Sequence, residues 1–136
     1  MVIENHPRLD DGSPFPTLFW LTCPLLVRRV STSEATGVMN VHNERLALDA
    51  RLKDRLQDAL DRLLQRRDAL ETIERSGAPP GGGPDKVKCL HAHVAQELAD
   101  PPNPIGAACL SEVSWPDCRE PCVAPTGRTL QDGVSR

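Results

Sequence analysis

At 136 residues and a formal net charge of −3, the chain is the size of one domain with a modest core. Its arginines alternate with acids instead of clustering, which argues against a nucleic-acid footprint. Two Trp, two Phe and no Tyr leave little for base stacking, so Leu, Val and Ala must fill the core, which suits packed helices.

Val2-Ile3-Glu4 reads as a short strand, followed by a turn-rich loop through Asp11-Gly12 and the prolines up to Pro16. Thr17-Leu18-Phe19-Trp20-Leu21-Thr22 is β-branched and aromatic, bounded by prolines, and predicts the best strand of the chain. Its apolar run is continuous, so both faces are expected to be covered by helices. Pro24 can occupy the first turn of a helix through Val30, and Ser31-Thr32-Ser33-Glu34 reads as a capping box for a second. Val38 to Leu46 predicts a further short helix, with Asp49 a cap for the next.

Residues 50–75 carry the clearest helical pattern, with Leu52, Leu56, Ala59, Leu60, Leu63, Leu64, Leu70 and Ile73 at spacings of three and four. This is a core-packing helix that could also serve a protein partner or self-association, though Arg66-Arg67 interrupt any coiled-coil seam. Ser76 to Pro84 reads as a flexible linker, with Gly81–Gly83 exposed and mobile. The triple glycine lacks the preceding strand and the Gly-Lys-Ser/Thr of a phosphate loop. Pro101-Pro102 stop the next helix, Asn103 to Gly106 predict a turn, and Ala107 to Val113 a short helix. The expected fold is α+β and mostly α: a short β-ribbon at the N-terminus followed by a packed helical layer with one long helix. Residues 1–125 form one domain and 126–136 a loose polar tail.

Chemistry gathers in Lys88-Cys89-Leu90-His91-Ala92-His93, which holds one of five cysteines and two of four histidines. If 86–100 is one helix capped by Asp85, then Val87, Leu90, Val94 and Leu98 face the core, and Cys89 projects with His93. If the helix begins after Cys89, the thiol pairs with His91 and sits at a helix N-terminus, where a thiolate is favoured. No apolar run approaches the ~20 residues that cross a bilayer, and Met1 to Pro7 lacks signal-peptide character. The expectation is a cytoplasmic protein without a membrane partner, whose odd number of cysteines are thiols or ligands and not a disulfide framework.

Several motifs, in consistent order over residues 2–123, resemble one bacterial family. They are Pro7-Arg8-Leu9 with Asp11-Gly12-Ser13-Pro14-Phe15-Pro16-Thr17, Leu21-Thr22-Cys23-Pro24, Val87-Lys88-Cys89-Leu90-His91, and Asn103-Pro104 with Gly106. The family is that of the domain of unknown function 501. The resemblance implies no reaction. It does imply that Cys23, Cys89 and His91 belong to the family pattern, often with Pro121-Cys122, and that His93 is freer. It also implies a Cys-x-Cys-Gly stretch upstream of Pro7, ahead of where this chain starts. Either the site is completed without those cysteines, or the natural start lies further upstream.

Three functional classes follow. The first is a metal site built from Cys23, Cys89 and Cys122 with His91, His93 or Cys118, of which His91 is the favoured fourth ligand. Thiolate and imidazole suit zinc, with an iron–sulfur cluster the minor alternative. The second is a thiol enzyme with Cys89 as nucleophile and His91 or His93 as base, which the absence of an oxyanion-hole motif disfavours. The third is an interaction module without chemistry of its own. Against all three stands the plain alternative that Cys23 and Cys89 are small buried hydrophobes and His91 a hydrogen-bonded core histidine.

Overall fold

The computed structural model describes residues 1–73 and 79–114. Two strands come first, β1 (Val2–Glu4) and β2 (Phe19–Leu21). Three helices follow: α1 (Pro24–Ala35), α2 (Val38–Leu48) and α3 (Ala50–Leu70). After a two-residue-stranded hairpin, β3 (Gly82–Gly83) and β4 (Lys86–Val87), come α4 (Leu90–Ala99) and α5 (Pro104–Val113). This is the α+β, mostly helical arrangement expected. No helix among the described residues is long and apolar enough to cross a membrane.

β1 and β2 pair antiparallel with Ile3 opposite Trp20. Phe19 and Leu21 point into the core, whereas Trp20 stays 50% exposed, so this strand keeps one open face instead of being covered on both. The open face is tolerated because Trp20 stacks on Phe15, with ring centroids 6.0 Å apart and planes inclined by 30°. The loop before it is tied by Arg8, whose Nη1 donates to the Gly12 carbonyl and whose Nε donates to Glu71 Oε1 at 2.5 Å.

α1 begins with Pro24 in its first turn and runs straight through Ser31-Thr32-Ser33-Glu34, so no second helix starts there. Thr32 Oγ1 donates back to the Arg28 carbonyl at 3.0 Å, and the Glu34 carboxylate serves a different helix. Gly37, at φ +83°, makes the left-handed turn into α2. Asp49 caps α3 by accepting from the Leu52 N–H at 3.0 Å.

The α3 stripe of Leu52, Leu56, Ala59, Leu60 and Leu63 is buried in the chain's own core. The helix stops at Leu70, short of the expected residue 75. Glu71 turns extended at φ −162° and reaches back to Arg8, and Ile73 is buried beyond the helix end.

Gly81–Gly83 are not an open linker. Gly82, at φ +108°, is buried in the hairpin, and a Cβ there would lie 2.0 Å from the Lys86 carbonyl oxygen. Pro84 and Asp85 form the turn, and Asp85 pairs with Lys53 instead of capping α4.

α4 sits at the centre, packed most extensively against α5 and β2. Leu90, His93, Val94, Ala95 and Gln96 are all buried. α5 starts at Pro104, earlier than the expected turn at 103–106 allows. The Asn103 side chain accepts from the N–H groups of Ile105 and Gly106 at 3.0 and 2.9 Å and so opens the helix. A Cβ at Gly106 would lie 2.2 Å from the His93 carbonyl oxygen, so the absence of a side chain there sets the α4–α5 approach.

Candidate metal centre

The helix containing the candidate residues begins after Cys89, which is its N-cap in an extended conformation at φ −152°. Cys89 therefore meets His91 and not His93. Cys89 Sγ lies 4.0 Å from His91 Nδ1. The first turn of α4 points the imidazole at one face of α1, where Val27, Ser31 and Glu34 follow at helical spacing. His91 Nε2 lies 3.2 Å from both the Val27 carbonyl oxygen and Ser31 Oγ, while Nδ1 is 3.3 Å from Glu34 Oε1. A backbone carbonyl can only accept, so Nε2 carries the proton and donates to Val27. In the neutral ring this turns the Nδ1 lone pair toward Cys89 and Glu34.

Glu34 Oε1 also accepts the Leu90 N–H at 2.6 Å, so its carboxylate caps α4 from another helix. Donor atoms of Glu34, Cys89 and His91 lie within 4.8 Å of one another, and among the described residues this is the one group of that kind. All three residues are half-buried. The neighbouring imidazole, helped by the Ala92 and His91 N–H groups, holds the Cys89 thiol below its ordinary range, against burial and the Glu34 charge. The Cys89 sulfur, with Glu34 and the Val27 carbonyl, raises His91 to about 9 against the effect of burial. At 4.0 Å the sulfur–nitrogen contact is at the outer limit of a hydrogen bond to sulfur.

His93 has a different role. It is buried, with Nε2 donating to the Gly81 carbonyl at 3.1 Å and Nδ1 accepting from Asn103 Nδ2 at 3.1 Å. Burial above all holds it down at about 4, so it is a neutral structural histidine. The remaining hydrogen of Asn103 Nδ2 goes to Gln96 Oε1 at 2.8 Å, and Gln96 Nε2 donates to the Ala59 carbonyl at 2.5 Å. A continuous buried chain of hydrogen bonds thus joins the Gly81 turn, α4, α5 and α3.

Cys23 is buried as the N-cap of α1 and is not part of the Glu34–Cys89–His91 group. Cys109 is buried in α5, and burial raises its thiol to about 11. Cys23, Cys89 and Cys109 are all free thiols. Cys118 and Cys122, with the expected tail, lie outside the described residues. Glu34 was missed in the sequence because its Ser-x-x-Glu context competes with a capping box. The signal available was that Val27, Ser31 and Glu34 share one helix face.

Cys89 and His91 open onto a cleft of about 390 Å³ between β2, α1 and α4. Its walls are mainly apolar, from Phe19, Trp20, Leu21, Val27, Pro80 and Ala92. Fold and site together define a small helical protein with a carboxylate–thiol–imidazole group whose thiol and imidazole line an apolar cleft. The family model described as protein of unknown function, DUF501, matches residues 1–111 of the 136, and the chain belongs to that family. No curated protein and no solved structure matches it.

Proposed function

We propose that this is a metal-binding protein whose ligands are Glu34 Oε1, Cys89 Sγ and His91 Nδ1, with zinc the ion that the mixed oxygen, sulfur and nitrogen set suits. The observation that carries the reading is the convergence of the three donors around an imidazole whose other nitrogen is held by a backbone carbonyl. Tetrahedral zinc at ~2.0–2.3 Å from each ligand needs a nitrogen–oxygen separation of about 3.3 Å and a nitrogen–sulfur separation of about 3.6 Å. The chain offers 3.3 and 4.0 Å, so the nitrogen–oxygen pair is at ligand spacing and the sulfur must approach the imidazole by a few tenths of an ångström. Among the described residues three protein ligands leave a fourth position, the pattern of a site that handles a ligand. The free thiols suit a reducing cytoplasm.

The test is elemental analysis of protein purified without chelator and then equilibrated with zinc. One equivalent is expected in the wild type and in Cys122→Ser, with loss in Glu34→Gln and Cys89→Ser. Full retention in both ligand variants, or no uptake by the wild type, refutes the assignment. The lowered thiol of Cys89 at a helix N-terminus favours a second reading, in which Cys89 is a nucleophile and His91 its partner. Rapid single-site alkylation of Cys89 in a protein that takes up no metal would favour it.

A further inference from the structure

The proposed centre opens on a cavity whose chemistry differs from its own. The cleft of about 390 Å³ is at the small end for ligand pockets, with room for one ring or a branched chain. Trp20, Val27, Pro80 and Ala92 supply apolar surface, with the edges of the buried Phe19 and Leu21, and the polar side chains of the lining are Thr17, Cys89 and His91. Trp20 is half-exposed and forms the rim. A pocket with mainly apolar walls and few polar side chains, two of them proposed metal ligands, matches a ligand with an apolar body and one polar head.

The charge of that head follows from the ligand set. Zn²⁺ bound by the Glu34 carboxylate, the Cys89 thiolate and a neutral His91 is electrically neutral. An anionic fourth ligand would leave a net negative charge against apolar walls, which is costly to desolvate, whereas an uncharged oxygen would not. We propose that the cleft binds a small uncharged molecule, an alcohol or carbonyl compound with an aromatic or branched aliphatic body, whose oxygen takes the fourth metal position in place of water. This rests on the metal reading given above.

Benzyl alcohol is a suitable probe, with benzoate as its charged counterpart. Protein loaded with Co²⁺ reports on metal uptake and on the fourth ligand separately, because its visible bands appear on loading and change again when that ligand is exchanged. Saturable spectral change with benzyl alcohol is expected, with much weaker binding of benzoate. Ala92→Leu, which fills the cleft, is expected to weaken benzyl alcohol by about tenfold or more, the scale on which apolar pockets discriminate added methylenes. Gly81 lies close to Ala92, so Trp20→Ala provides a second variant at an exposed position, with weakening in the same direction. Normal Co²⁺ bands that neither probe alters, equal affinity for both probes, or titrations that neither variant changes overturn the cleft proposal and leave the metal site standing. Failure to take up Co²⁺ overturns both.

Discussion

Replacing Asn103 with alanine removes a side chain in which every hydrogen-bonding position is used. Its oxygen accepts two N–H groups at the start of α5, and its amide donates to His93 Nδ1 and Gln96 Oε1. Loss of the cap costs about 1 kcal/mol. The two acceptors left behind are buried, and each unsatisfied group costs roughly 1–3 kcal/mol. The sum is about 3–7 kcal/mol, a large share of the roughly 5–15 kcal/mol that holds a domain folded. In a urea titration followed by far-UV circular dichroism, with a slope of ~1–3 kcal/mol/M, the midpoint should fall by about 1 M or more. Asn103→Asp separates the two contributions. It keeps the cap but turns a carboxylate toward the lone pairs of His93 Nδ1 and Gln96 Oε1. Its stability deficit should shrink as the pH falls and His93 takes up a proton to donate to the new oxygen. A loss below ~1 kcal/mol in Asn103→Ala, or an Asn103→Asp deficit independent of pH, would refute the view that the network carries stability.

Gly106→Ala should destabilise although alanine is the better helix former by about 1 kcal/mol. The new methyl meets the His93 carbonyl and the Glu97 Cβ, and forcing α4 and α5 apart costs typically 1–3 kcal/mol or more. A thermal midpoint equal to or above wild type would count against the close approach. His93 titrates at about 4 in the fold against 6.5 as the reference value, so between these limits the unfolded chain binds a proton that the native one does not. Its contribution is fully present above about pH 6.5 and is lost as the pH falls toward 4, about 3 kcal/mol in all at ~1.4 kcal/mol per unit. The difference between wild-type and His93→Gln stability curves should show this slope, and parallel curves from pH 4 to 7 would exclude it.

What was legible in the sequence was what repeats locally. The leucine spacing of α3 and the aromatic run of β2 are visible because burial of one face imposes its period on neighbouring residues. The Cys89–His91 pairing was open to geometry, but only as one of two helix starts. Tertiary capping hid the rest. Glu34 looks like a cap for its own segment and instead caps α4, and Asn103 looks like a turn residue and instead holds together four buried groups. Gly81–Gly83 show the same limit, because a left-handed hairpin turn and a loose linker draw on the same residue. No local pattern distinguishes a polar group that serves its neighbours from one that serves a distant helix.

The chain of hydrogen bonds running from Ala59 through Gln96, Asn103 and His93 to Gly81 also bears on the order in which the molecule can be assembled. Its members come from four separated stretches of sequence, so it cannot close until the last has been made. Synthesis delivers the N-terminal part first. A growing chain that has passed Cys89 but not Asn103 holds the thiol and the imidazole, yet His93 and Gln96 lack the amide that satisfies them. The wall of the cleft at Gly81 then has no complete tie to the core. The Gly81 wall of the cleft thus gains its full set of ties to the core only with the arrival of Asn103 at the start of α5.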